Sequence, residues 1–165
     1  MKTELLIIGS GVAGLTLAVK YAETFPKKNI TIVTKGTEDE SNTKYAQGGV
    51  AVVLDDKTDS FQKHIEDTLI SGDGLCNKDI VDMVITEGPK RLKELMVWGA
   101  QFDLDSTGNL DLGKEGGHSE FRVVHYKDIT GYEIERALLV RAHQLTNIQI
   151  LPHHFAIDLI TEHQL

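Results

Sequence analysis

The chain has 165 residues, with 17 Lys plus Arg against 25 Asp plus Glu and a formal net charge of −8. A composition that is 41% apolar and 25% charged excludes a disordered chain, and the acidic balance argues against nucleic acid, which selects a basic surface. No apolar run approaches the roughly 20 residues that span a bilayer. Leu5–Ile8 is too short for a signal peptide and runs straight into a glycine motif, and the lone Cys76 fits a reducing, cytoplasmic compartment.

Glu4–Ile8 reads as a strand buried on both faces of a parallel sheet, because Leu5, Leu6, Ile7 and Ile8 are all apolar. Val12–Glu23 carries Leu15, Ala18, Val19 and Ala22 at helical spacing, and Ile30–Thr34 is a second strand. Together they make a βαβ unit. Glu38–Asn42 is loop-like. Asp59 or Ser60 caps a helix with Phe61, Ile65 and Leu69 on one face. Asn77 caps another with an Ile80, Val81, Val84 and Ile85 stripe, and Pro89 opens a third that buries Leu92, Leu95 and Met96 before Gly99. Phe102–Leu112 predicts a hairpin around Ser106–Asn109, and Phe121–His125 a strand. Thr130-Gly131-Tyr132-Glu133 has the form of a capping box. Ile148–Leu151 and Phe155–Thr161 predict two more strands split by Pro152, and no linker marks a second domain.

Three segments carry chemistry. Gly9-Ser10-Gly11-Val12-Ala13-Gly14 is GxGxxG between a strand and a helix. Gly9 allows the tight turn, Gly11 the close approach of a pyrophosphate, and Gly14 the packing of helix on strand. Free N–H groups and the helix dipole then hold phosphates. The acidic residue that takes a ribose hydroxyl in ordinary NAD sites is missing: the second strand ends at Thr34-Lys35, and Glu38 comes too late. Lys35 presents a cation to the cofactor or is simply a solvated strand end.

The second segment, Ser41-Asn42-Thr43-Lys44-Tyr45-Ala46-Gln47-Gly48-Gly49-Val50, offers hydroxyls, an amide and two glycines that suit a planar ring, or else forms a plain loop. The third is Glu115-Gly116-Gly117-His118-Ser119 with Arg122 and His125, which suits a small charged substrate or else is a flexible loop. His153-His154 does not read as a metal site, because neighbours on a strand point to opposite faces. We expect no metal.

In this order the three segments resemble the succinate dehydrogenase/fumarate reductase flavoprotein family across nearly the whole chain. The pattern is nearest to the members that oxidise L-aspartate to iminoaspartate. The resemblance implies an α/β, Rossmann-like FAD-binding domain with a parallel sheet, a helical insertion and a β-hairpin. Residues 1–165 are expected to be its N-terminal part, without the capping and C-terminal helical domains. It further implies FAD held by Gly9, Ser10, Gly11, Val12, Ala13 and Gly14 at the pyrophosphate, and by Lys35 at the end of the second strand. Asn42, Thr43, Lys44, Tyr45, Ala46, Gln47, Gly48 and Gly49 match the segment lining the flavin. Family members with covalent FAD carry a histidine where Asn42 stands, so the flavin is expected to be non-covalent. Glu115, where succinate dehydrogenases usually carry an apolar residue, is expected to orient the substrate ammonium.

The implied partners are L-aspartate, and fumarate or dioxygen as electron acceptor. Quinolinate synthase is implied downstream in de novo NAD synthesis. The clamping arginines and histidines of the family lie further along than this chain, so it is expected to be inactive alone. A fumarate reductase or succinate dehydrogenase fragment, or a non-catalytic nucleotide-binding module, stands as the alternative.

Overall fold

The structure is a computed structural model and describes residues 2–55 and 57–161. In chain order the elements are β1 (Leu5–Ile8), α1 (Val12–Thr24), β2 (Ile30–Val33), β3 (Val50–Ala51), α2 (Phe61–Ser71), α3 (Lys78–Val97), β4 (Leu112–Gly113), β5 (Val123–Val124), α4 (Thr130–Gln144) and β6 (Ile148–Leu151). The chain divides into two compact units. One holds the residues up to Tyr45 together with those from Ile134 onward, and the other is Ala46–Glu133. No linker-like composition marks either junction, after Tyr45 or within α4.

The first unit is built on a parallel sheet in the order β1-β2-β6, with Ile7 beside Ile32 and Ile32 beside Ile150. Helix α1 follows the predicted spacing and buries Leu15, Ala18, Val19 and Ala22 against β1 and β2. Ala137, Leu138 and Ala142 of α4 are buried too, and Arg141 ties α4 to Glu23 of α1 at 2.8 Å. The burial of β1 on both faces is not what forms. Ile7 is covered, but Leu6 and Ile8 on the other face are 49% and 55% exposed. Alternation sends these side chains to the face that α1 does not cover. Phe155–Thr161 forms no strand either. Its residues are exposed and belong to no strand of the described sheets. His153 sits in a turn with φ +59°, so the histidine pair is not on a strand.

The second unit carries a small antiparallel sheet, β3-β5-β4, beside the packed pair α2 and α3. Ser60 caps α2 by accepting the Lys63 N–H, and Asn77 caps α3 by accepting those of Asp79 and Ile80. The two helices expected on either side of Pro89 are one helix. A proline inside a helix costs about 3 kcal/mol. Burial of Ile85 before it and Leu92 after it offsets that, as does Arg91 bridging Glu87 and Glu94 across the same turns. The expected stripes narrow accordingly: Ile80, Val84 and Met96 are exposed, as is Phe61 on α2. The hairpin forms as a single bridge, Leu104 with Leu110, its turn held by Asp105 accepting the N–H groups of Thr107 and Asn109.

The expected capping box is used differently. Thr130 is the first residue of α4, and its hydroxyl accepts the Tyr126 N–H, while the Glu133 carboxylate accepts that of Gln101. Both side chains fasten neighbouring loops to the start of the helix.

Candidate cofactor site

In the first unit, β1 delivers the chain into Gly9 with φ +105°, a conformation that favours glycine. A Cβ on Gly14 would collide with the Gly9 carbonyl oxygen and come within 3.2 Å of Ile7 Cγ2. Gly14 is therefore fixed by the packing of helix on strand. Gly11 differs. A Cβ there would meet only Thr43 Oγ1 at 3.6 Å and Ser41 Cβ at 3.7 Å, ordinary contacts. Its bareness leaves space at the helix end rather than relieving a clash inside the chain.

Gly11 is the N-cap of α1 and gives no side-chain cap. The first N–H groups of a helix lack intrahelical partners. Val12 donates its own to Thr43 Oγ1 at 3.1 Å, and the first ladder bond runs from Leu15 to Gly11. Among the described residues the N–H groups of Ala13 and Gly14 make no bond outside the helix. Ser10 is buried, its hydroxyl against that of Thr34 at 3.1 Å. Beside this turn lies an open cavity of about 240 Å³, lined by Ile8–Gly11, Val33–Lys35 and Glu40-Ser41, with His154–Ala156 closing one side. Lys35 is exposed at its rim. A glycine turn, an uncapped helix end and an adjoining groove fit the diphosphate and one end of a dinucleotide.

The segment after β2 is folded by its own polar groups. Ser41 Oγ accepts the Thr43 N–H at 3.1 Å, Lys44 pairs with Asp39 at 2.6 Å, and the Tyr45 hydroxyl donates to Glu40 at 2.9 Å. Asn42 is exposed. Hydroxyl placement in this loop thus brings Thr43 to the glycine turn, which spacing alone left open.

In the second unit the same segment continues as Ala46–Gly49. The Ala46 carbonyl accepts the Gly131 N–H at 2.9 Å, and Gln47 donates to Asp128 at 3.2 Å. The turn at Asp128–Gly131 therefore anchors this stretch, a task that its sequence, sufficient as a plain turn, did not signal. A Cβ on Gly49 would strike Val123 Cγ1 and the Val124 carbonyl, so Gly49 lets the segment enter the sheet beside β5. Gly48 faces Glu115: a Cβ there would lie 3.6 Å from Glu115 Oε1. Both residues are otherwise exposed.

The remaining polar residues of the third segment are committed to structure. Arg122 is 0% exposed, chelated by both oxygens of Asp59 at 2.8 Å and reached by Asp67 at 2.6 Å. It does not face a substrate. Burial by itself would raise the Asp67 pKa, but the Ser119 N–H and hydroxyl and the Arg122 guanidinium overcome it and hold the carboxyl at about 2. His125 lies between Asp103 at 3.2 Å and Asp111 at 3.6 Å. His118 packs edge-on to His64, ring centres 5.7 Å apart, and burial followed by the Arg122 charge keeps His64 below its ordinary pKa. The loop of Glu115–Ser119 is therefore held from beneath by a charged cluster whose acids, Asp59 and Asp67, carried no recognisable spacing in the sequence.

The FAD binding domain family matches residues 4–164. The chain is 49% identical over 158 residues to L-aspartate oxidase 2-b, chloroplastic, of Nicotiana tabacum, covering 96% of this chain and 24% of that protein. It is 43% identical over 162 residues to L-aspartate oxidase of Acinetobacter baylyi, covering 98% and 29%. Among solved structures, a variant of E. coli quinol fumarate reductase FrdA superposes with a TM-score of 0.91 at 32% identity, over 98% of this chain and 28% of that one. Mycobacterium smegmatis Sdh1 superposes with a TM-score of 0.83 at 30% identity, over 92% and 27%. The chain thus spans about a quarter of the length of the curated relatives it matches. No helix among the described residues is long and apolar enough to cross a membrane. With a parallel-sheet glycine turn, an uncapped helix end and this match along its length, the chain belongs to the FAD binding domain family of succinate dehydrogenase and fumarate reductase flavoproteins, and its cofactor is FAD.

Proposed function

We propose that the chain is the N-terminal part of the FAD-binding domain of an enzyme that oxidises L-aspartate to iminoaspartate in NAD biosynthesis, in a reducing compartment such as the cytoplasm. The observation that carries this reading is the Glu115 carboxylate beside Gly48, in a chain whose curated relatives are named L-aspartate oxidase. L-Aspartate differs from succinate by one ammonium group, and a carboxylate is the simplest group that recognises it. Fumarate or dioxygen then serves as electron acceptor, and quinolinate synthase consumes the product.

The residues divide the work. Gly9–Gly14 receive the diphosphate on the end of α1, where no side chain caps the helix and Thr43 holds Val12 in place. Lys35 offers a cation at the rim of the adjoining groove. Asn42–Gly49 lie along the flavin. Lys44 does so through its backbone, since its ammonium is committed to Asp39. Glu115 binds and orients the substrate ammonium. When bound, FAD supplies the acceptor for the hydride that leaves the substrate carbon.

The fumarate reductase reading is favoured by the TM-score of 0.91, which speaks to the shared fold. Asn42 and Glu115 favour the aspartate reading. Asn42 has no nucleophilic ring nitrogen, so FAD is held without a covalent bond. Titration with FAD, followed by flavin fluorescence, tests the site. The 165-residue chain is expected to bind weakly and turn over no L-aspartate. Acid precipitation is expected to release all the yellow colour. Flavin retained in the pellet, or steady iminoaspartate formation by this chain alone, overturns these assignments.

A further inference from the structure

Glu135 of α4 is 2% exposed, and neither carboxylate oxygen has a hydrogen-bond partner. An ionised carboxylate buried in this way is costly unless paired. The Ser41 hydroxyl and the Lys44 N–H are near enough to soften its field, yet neither makes a bond of good geometry. The charged groups facing it are Asp39 and Lys44, from the turn after β2. The Lys44 ammonium, the obvious counter-ion, is taken by Asp39 at 2.6 Å. The turn that covers Glu135 is also the one that grips the pyrophosphate loop: Ser41 and Thr43 are the side chains nearest Gly11, and Thr43 accepts the Val12 N–H.

We infer that Glu135 is a positioning residue for the cofactor, neutral when FAD is bound, so that FAD binding takes up a proton and weakens as that carboxyl ionises. The inference rests on the reading of Gly9–Gly14 as the diphosphate site. A negative charge buried against the turn whose Ser41 and Thr43 meet the uncapped helix end opposes the positive potential that draws a dianionic diphosphate there. Burial already pushes the Glu135 pKa up from its ordinary 4.5, which favours the neutral form in this environment. The diphosphate pushes it further in the same direction, and linkage requires the reciprocal effect on FAD affinity.

The test is FAD titration of the apo-protein, wild type and Glu135→Gln, between about pH 5 and about pH 8.5, where neither the diphosphate nor the isoalloxazine titrates. His154 lines the groove and His143 pairs with Glu38, but both are present in each protein, so the difference between the two profiles isolates residue 135. The wild type is expected to lose affinity by about tenfold more than E135Q across the range, the effect of one pKa unit of coupling. E135Q is expected to match it at the acid end and to bind more tightly at the alkaline end. A residue needed only for packing would lower affinity in E135Q at every pH. Calorimetric titration of the wild type alone, in two buffers of different protonation enthalpy, is expected to show net proton uptake per FAD. Parallel pH profiles, or no proton uptake, overturn the role of Glu135 while leaving the diphosphate site standing. Absence of FAD binding by both proteins at every pH overturns the site and this inference together.

Discussion

The carboxylate of Glu115 stands over Gly48, so close that a methyl on that glycine would sit 3.6 Å from Oε1. Two segments far apart in the chain thus place a carboxylate against the stretch proposed to line the flavin. In an enzyme of full family length, Glu115→Gln is expected to lower kcat/KM for L-aspartate by about ten- to hundredfold. This corresponds to roughly 1.5–3 kcal/mol for a hydrogen bond to a charged group. Binding of fumarate or succinate should be unchanged, because neither carries an ammonium. Inhibition constants for the two dicarboxylates, measured beside aspartate kinetics, check this. An equal loss for all three ligands would place Glu115 in loop structure instead.

Gly14 and Gly11 predict opposite outcomes for the same substitution. Gly14→Ala forces a methyl into the Gly9 carbonyl, and overpacking of this kind typically costs about 1–3 kcal/mol. A lowered melting temperature without ligand is expected. Gly11→Ala meets only ordinary contacts with Thr43 and Ser41, so the melting temperature should hold. The methyl would instead occupy the space assigned to the diphosphate, and FAD affinity should fall below detection. Thermal melts of the two apo-proteins beside flavin titrations separate the two effects.

The Arg122 cluster predicts an acid-labile second unit. Arg122→Ala leaves Asp59 buried and without its guanidinium, a loss of about 3–5 kcal/mol in comparable buried pairs. The pH dependence follows from Asp67. Its carboxyl is held at about 2 in the folded chain against an ordinary 3.8, so the folded state favours the ionised form. The contribution is complete above pH 3.8 and is lost as pH falls toward about 2, because the unfolded chain takes up the proton first. Denaturant titrations at descending pH should show stability falling through that window in the wild type and a shallower fall in Asp67→Asn.

Much of this site was written in local pattern. A strand, GxGxxG and an amphipathic helix specify the β1–α1 turn within a few residues, because the steric demands on Gly9 and Gly14 are set by neighbours in the chain. The caps at Ser60 and Asn77 are legible for the same reason. Tertiary structure decided what depends on partners distant in sequence. Leu6 and Ile8 look like core but lie on the face that α1 does not cover, and Phe155–Thr161 looks like a strand but forms none among the described residues. Pro89 reads as a helix start, yet burial on both sides carries α3 through it. Arg122 reads as a substrate contact until Asp59 and Asp67 close around it. Glu135, which shares a helical turn with ordinary polar residues, becomes distinctive only once the turn after β2 covers it and Lys44 is claimed by Asp39. Backbone conformation and capping are short-range and act within a few residues. Burial and charge pairing are set by whatever the fold brings close, and these assign each polar group to structure or leave it for the cofactor.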